Sequence, residues 1–259
     1  MPIAAQGRET VPAGDSLRSR YEAVCARIRA AAARGGHGER EVVLVAVTRS
    51  ASIDQIRQLL ALGHMDLGEI HVHVLSHHAA QVEEFLQRHR ELPSARRGDL
   101  PDRVRWHMTG PLARNKVRKV LPVARLIHTV DSLRLAEEIQ TAAAARLEEP
   151  VEVLIQVNVS GGRQKPGIAP AAARHLIEQV DTMFNIRVRG LMCETASFDD
   201  AQRARPVFER CRELFDDIRR AGTCSDRFDV LSMGRTEDFE VAVECGANIV
   251  RVGAAIFGE

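Results

Sequence analysis

Apolar residues in this chain gather in short solid runs, separated by longer stretches where they recur every three or four positions. The first run, Val42-Val43-Leu44-Val45-Ala46-Val47, is mostly β-branched and predicts a strand buried on both faces of a parallel sheet. Ahead of it, Leu17, Tyr21, Val24, Cys25 and Ile28 predict a helix over 15–33, capped by Asp15 or Ser16 and stopped at Gly35-Gly36. After it, Ser52-x-x-Gln55 has the form of a capping box and opens a helix carrying Ile53, Ile56, Leu59 and Leu60.

The same alternation continues to the end. Strands are predicted at 65–68 (delivering Glu69), 104–109, 125–130, 151–159, 186–193, 228–233 and 248–252. Helices are predicted at 70–90, at 112–121 with Pro111 near its start, and from an Asp131 cap to Leu147. Others begin at Pro170, span 199–221 with Pro206 as a weak point, and span 236–245. The polar stretch 93–102 reads as a surface loop. Eight strands, each but the last followed by a helix, demand parallel strands and crossover helices. The expected fold is α/β: a single (β/α)8 TIM-type barrel with an additional N-terminal helix, an open doubly wound sheet being the competitor. Residues 1–14 read as a flexible tail, not a signal peptide, and 15–259 as one barrel domain.

Composition narrows the class. Hydrophobic residues make up 45%, charged residues 27% and the formal net charge is +1, which argues against nucleic acid or membrane held by bulk charge. The arginines at 96, 97, 103 and 105 lack the interleaved aromatics of a single-strand nucleic-acid binder. No apolar stretch reaches the ~18 residues of a membrane span. Five scattered cysteines with no C-x-x-C pair read as reduced thiols of a cytoplasmic protein. Lys116, Lys119 and Lys165 are the only lysines, so amines for covalent chemistry are scarce.

In a barrel, functional groups collect where strands end, and the exits of strands seven and eight favour phosphate. Those exits are Ser232-Met233-Gly234-Arg235-Thr236 and Arg251-Val252-Gly253-Ala254-Ala255. Both offer small residues that let backbone amides approach an oxyanion; the first adds hydroxyls and an expected helix start after Thr236. Turn glycines with no ligand are the plainer explanation of either exit alone. Strand one exits into Thr48-Arg49-Ser50, which stands a guanidinium at the same end.

Several segments match one family in order: Val45-Ala46-Val47-Thr48-Arg49, Gly68-Glu69, and the run from Trp106 through Gly110-Pro111-Leu112 to Asn115-Lys116. His128-Thr129-Val130-Asp131-Ser132, Lys165-Pro166-Gly167, Leu231-Ser232-Met233-Gly234 and 250–258 follow. The chain resembles the pyridoxal-phosphate homeostasis proteins, single-domain relatives of the alanine racemase barrel, from about Tyr21 to Gly258. The resemblance implies pyridoxal 5'-phosphate held on a lysine at the end of strand one. It implies Ser232, Gly234, Gly253 and Ala254 around the phosphate, and Arg251 facing the pyridine nitrogen, which weakens the ring as an electron sink.

Here the family lysine is Arg49, and a guanidinium stays protonated, so it cannot form the imine. Ile70 and His71 replace a usual asparagine and tyrosine, Arg235 a usual methionine, and Ala254 a usual threonine. The expectation is a binding protein, not an enzyme, holding pyridoxal 5'-phosphate or a similar small phosphorylated ligand without covalent attachment. Its cofactor-binding residues would be Arg49, Ser232, Met233, Gly234, Thr236, Arg251, Gly253 and Ala254. The alternatives are a pyridoxal-dependent enzyme such as an amino-acid racemase, and a ligand-free scaffold in which Arg49 pairs with Glu69 or another carboxylate. Protein partners are not legible. His71, His73, His77 and His78 form a cluster with an i, i+4 pair, but a solvated helix face explains them better than a metal site does. His107 and His128 read as packing residues.

Overall fold

The computed structural model describes residues 16–36, 42–92, 100–145, 149–162, 165–222, 224 and 226–258. The expected tail and the arginines at 96 and 97 lie outside the described residues. Eight strands form the centre: β1 (Val43–Val47), β2 (Asp66–Glu69), β3 (Arg105–Met108), β4 (Ala124–Val130), β5 (Val151–Gln156), β6 (Ile186–Met192), β7 (Val230–Ser232) and β8 (Ile249–Val252). They pair in chain order, all parallel, and β8 closes on β1 to make the (β/α)8 barrel.

The helices are α1 (Leu17–Gly35), α2 (Ile53–Leu60), α3 (Val72–Arg90), α4 (Val117–Val120), α5 (Leu133–Ala144), α6 (Pro170–Asp181), α7 (Arg205–Arg220), α8 (Phe239–Glu244) and α9 (Ala254–Phe257). α1 is the additional N-terminal helix. Ser16 caps it by accepting from the Ser19 amide, and Arg20 Nε donates to the Ile256 carbonyl of α9 at 2.9 Å. The capping box at α2 is complete, Ser52 and Gln55 serving each other's backbone.

The apolar residues sort into two clusters. The larger lies between sheet and helices, with Ile56, Leu59, Leu75, Ile139, Ile177, Phe208 and Phe239 all free of solvent. The smaller, Val45, Leu126, Leu154, Met192 and Ile249, fills part of the barrel interior. Burying Leu- or Ile-sized side chains contributes about 1.5–3 kcal/mol each, so the shell holds the barrel shut.

Some boundaries differ from expectation. The helix expected at 112–121 is a 3₁₀ turn (Arg114–Lys116) followed by the single turn α4. The helix expected at 199–221 is a 3₁₀ turn (Ala201–Ala204) and then α7, with Pro206 in the first turn. There its missing N–H costs nothing, so Pro206 starts the helix instead of weakening it. Ser132 caps α5 in place of Asp131, without a side-chain bond. Strand five ends at Gln156, and Val157 makes only an isolated bridge to Ile168. The last strand is followed by the short helix α9 after all.

Candidate functional site

A cavity of about 570 Å³ opens at the C-terminal mouth of the barrel. Its wall comes from six strand exits: Val47 at the end of β1 with Arg49 and Ser50 after it, Ile70 after β2, Thr109-Gly110-Pro111 after β3, Glu194 after β6, Arg235-Thr236-Glu237 after β7, and Arg251 with Gly253-Ala254 from β8. The parallel strands aim every exit at the same end, so residues 200 positions apart in sequence share one wall. Three arginines face two glutamates, a balance that favours an anion.

Of the residues expected here, Arg49, Thr236, Arg251, Gly253 and Ala254 line the cavity. Ser232, Met233 and Gly234 do not. Ser232 is wholly buried and its Oγ accepts a hydrogen bond from Arg251 Nη1 at 2.6 Å. Met233 belongs to the outer apolar core. Gly234 has φ +88, and a Cβ there would lie 2.6 Å from the Ala242 Cβ, so this glycine lets the β7 exit pack on α8. Gly253 serves a close approach: a Cβ would sit 2.9 Å from the Val47 carbonyl oxygen. Thr236 begins a turn, and α8 starts only at Phe239, so the expected helix N-terminus after Thr236 is absent.

Backbone amides gather at two of these exits. The amide of Gly253 donates to Thr236 Oγ1 at 3.3 Å, which ties the β7 and β8 turns together. Asp238 Oδ1 accepts from the Arg235 amide at 2.7 Å, and Asp238 Oδ2 accepts from Thr195 Oγ1 at 2.5 Å. The amides of Thr236 and Glu237 meet no acceptor among the described residues. Those of Ala254 and Ala255 open α9 and have no intrahelical acceptor.

The arginines differ in their surroundings. Arg251 is 4% exposed and also donates from Nη2 to the Cys193 carbonyl at 3.1 Å. Burial lowers its pKa from the usual 12.5, opposed by the charges of Glu194 and Asp238. Arg235 keeps a buried Nε without a hydrogen bond, its nearest carboxylate being Glu237 at 3.9 Å. Arg49 is exposed and makes no ion pair among the described residues. The pairing of Arg49 with Glu69 does not form: Glu69 is fully buried and its Oε1 is taken by Thr48 Oγ1 and by His78 Nδ1.

No lysine lines the cavity; Lys116 and Lys119 line a neighbouring hollow with His71 and His73. Lys165 sits in the loop after β5, where Asn158 Nδ2 donates to its carbonyl oxygen. Of the four clustered histidines, His73 and His77 are exposed on α3, and His78 belongs to Glu69. Among the described residues, no three His, Cys, Asp or Glu side chains come together as metal ligands, and no helix is long and apolar enough to cross a membrane.

Sequence reasoning missed Thr109, Gly110 and Glu194 as wall residues. For Gly110 a signal was present in the Trp106–Lys116 motif: a Cβ there would meet the Ile70 carbonyl at 2.2 Å. His107 and His128 are buried as expected, but as hydrogen-bonding residues in a polar file through the barrel interior.

Comparison with known proteins bears on this cavity. Residues 72–259 match the family described as "Alanine racemase, N-terminal domain". The "Pyridoxal phosphate homeostasis protein" of Aquifex aeolicus (strain VF5) is 35% identical over 240 residues, covering 93% of this chain and 96% of that one. A solved structure of an unknown protein from Bifidobacterium adolescentis is 35% identical, with a TM-score of 0.81 over 93% of this chain and 94% of that one. PipY of Synechococcus elongatus PCC7942, solved with PLP bound, is 26% identical, with a TM-score of 0.75 over 94% of this chain and 100% of that one.

Proposed function

Because the chain belongs to the family of the pyridoxal phosphate homeostasis proteins, built on the alanine racemase N-terminal domain, we propose that it binds pyridoxal 5'-phosphate at the C-terminal mouth without a covalent bond. The observation that carries this reading is Arg49, which lines the cavity where the family places its lysine, in a wall that contains no lysine at all.

The residues present suit the phosphorylated part of such a ligand. Amides of Thr236, Glu237 and Ala254 are open to an oxyanion, and Arg49 and Arg235 are forks suited to a phosphate. Arg251 would meet the ring nitrogen and, as a pure donor, hold it unprotonated. When bound, the ligand supplies an aldehyde that condenses with amines and a ring that draws electrons. This wall brings no amine to the first, and Arg251 works against the second. A racemase-type reaction also needs groups that carry a proton on both faces of the ring; the wall offers Glu194 and Glu237 but neither a lysine nor the single tyrosine, Tyr21, which lines the opposite mouth. The reading is therefore a carrier or regulatory binding protein, and not an enzyme.

Equilibrium dialysis against pyridoxal 5'-phosphate, followed by borohydride and intact mass measurement, tests it. Saturable binding that dialysis reverses, with no mass gain after reduction, is the expected result. A reduced adduct on Lys116, Lys119 or Lys165 overturns the non-covalent mode. Failure to bind at all favours the scaffold.

A further inference from the structure

A second cavity, of about 580 Å³, opens at the N-terminal mouth, and Asp66, Arg105 and His107 are in its wall. A single file of hydrogen bonds joins it to the upper cavity through the barrel interior. Arg251 reaches Ser232 Oγ; Ser232 Oγ lies 3.0 Å from His128 Nδ1; His128 Nε2 lies 3.0 Å from His107 Nδ1; His107 Nε2 lies 3.2 Å from Asp66 Oδ1. Arg105 closes the lower end, its Nε donating to Asp66 Oδ1 at 2.7 Å and its Nη2 to Oδ2.

The ends dictate the middle. A guanidinium only donates and a carboxylate only accepts. With one mobile hydrogen each on Ser232, His128 and His107, one arrangement satisfies every link. Ser232 donates to His128, His128 donates from Nε2 to His107, and His107 donates from Nε2 to Asp66. Ser232 accepts from Arg251 on one lone pair and directs its own hydrogen at His128. A second proton on His107 would turn His128 around, so that Ser232 would accept from both Arg251 and His128 and its own hydrogen would lose its acceptor in the file.

Stability alone does not call for such a file. Ser232 and His128 have no exposed surface, and His107 and Asp66 are 4% and 7% exposed. Neighbouring interior positions are filled by Val45, Leu126, Leu154, Met192 and Ile249. Apolar side chains of similar volume hold buried sites as well as or better than a polar network does. A fully satisfied network does specify one orientation of its members.

We propose that His128, His107 and Asp66 are positioning residues for Arg251: through Ser232 they seat its guanidinium in the ligand cavity from the opposite mouth of the barrel. The proposal rests on the reading of the upper cavity as the pyridoxal-phosphate site.

Nitrogen-15 NMR of the histidine side chains tests it, first without ligand. His107 and His128 are expected as neutral Nε2–H tautomers, and Ser232→Ala is expected to shift the His107 signals two links away. At saturating pyridoxal 5'-phosphate, the His107 signals are expected to move in the wild type, to stop responding in Ser232→Ala, and to respond again in Ser232→Thr. Asp66→Asn, which keeps shape and loses charge, is expected to change the Kd for pyridoxal 5'-phosphate by about 2- to 30-fold. An Nδ1–H tautomer at His128, a doubly protonated His107, or an unchanged Kd in Asp66→Asn overturns the proposal. The expected tautomers in a wild-type protein with no affinity for the ligand would instead overturn the ligand reading and leave the file standing.

Discussion

His78 Nδ1 lies 2.9 Å from Oε1 of Glu69, a carboxylate with no exposed surface. The Thr48 hydroxyl donates to the same oxygen, while Oε2 is buried without a partner and the exposed Arg49, the next residue, does not reach this acid. Glu69 therefore braces β2 and α3, while Arg49 is free to meet a ligand. The two substitutions are expected to separate cleanly. Glu69→Ala strands buried partners and costs about 1–3 kcal/mol in urea unfolding. Arg49→Ala, at an exposed position with no partner among the described residues, stays within about 0.5 kcal/mol of the parent. A large stability loss in Arg49→Ala would mean that its side chain is structural.

Affinity is expected to follow the opposite pattern. A charge-assisted hydrogen bond from Arg49 to a phosphate is worth about 1.5–3 kcal/mol, so Arg49→Ala weakens pyridoxal 5'-phosphate binding by about 10- to 100-fold in fluorescence titration. Arg49→Lys supplies the missing amine at the exit of β1. It is expected to give a coloured complex that borohydride fixes at position 49. A colourless, irreducible Arg49→Lys complex would show that the pocket has lost the geometry for covalent attachment as well as the amine.

The strand and helix order was legible because solid runs such as Val42–Val47 and helical stripes such as Ile56-Leu59-Leu60 each have one reading in a barrel. Element ends were less so. Thr236 and Asp199 look like helix starts, yet α8 and α7 begin at Phe239 and Arg205, where turns and a 3₁₀ segment intervene. Placing residues of the cavity wall needed only the knowledge of which strand each one follows. Separating Ser232 and Met233 from that wall needed the pleat, which turns Ser232 into the barrel and Met233 into the shell. The polar file was out of reach, since Asp66, His107, His128 and Ser232 meet only through register across strands far apart in sequence.

Gly234 offers a test of the turn that carries Arg235 and Thr236. Its φ of +88 is unfavourable for any other residue, and a Cβ would lie 2.8 Å from the Phe239 Cα as well as against Ala242. Gly234→Ala is therefore expected to cost about 1–3 kcal/mol from backbone strain, more if α8 cannot shift. Because the β7 turn moves with α8, ligand affinity falls too. A variant with parental stability and affinity would mean that the turn relaxes freely.

Acid sensitivity should come from the barrel interior. Burial lowers the pKa of His64 from its ordinary 6.5, opposed by a hydrogen bond to the Asp66 carbonyl. Burial lowers that of His128 much further, helped by the Arg251 cation. In the unfolded chain both imidazoles take up a proton near pH 6.5, while the folded chain holds that proton off to lower pH, furthest at His128. The unfolded state then binds more protons, so stability falls as pH drops below about 6.5, at up to about 1.4 kcal/mol per pH unit for His128, with a share from His64 that ends once its own lowered pKa is passed. Asp66 adds a second loss at lower pH. Burial opposes its charge, but hydrogen bonds from His107 and Arg105 outweigh that and hold its carboxyl at about 2 against the usual 3.8, so this contribution disappears as pH falls from about 4 towards 2. Urea unfolding between pH 7.5 and 5 should show the first slope, and His128→Asn should remove about one proton's share of it. A wild-type stability that is level across that range would mean that His128 takes up a proton in the folded barrel, and the neutral imidazole beside Ser232 would have to be given up.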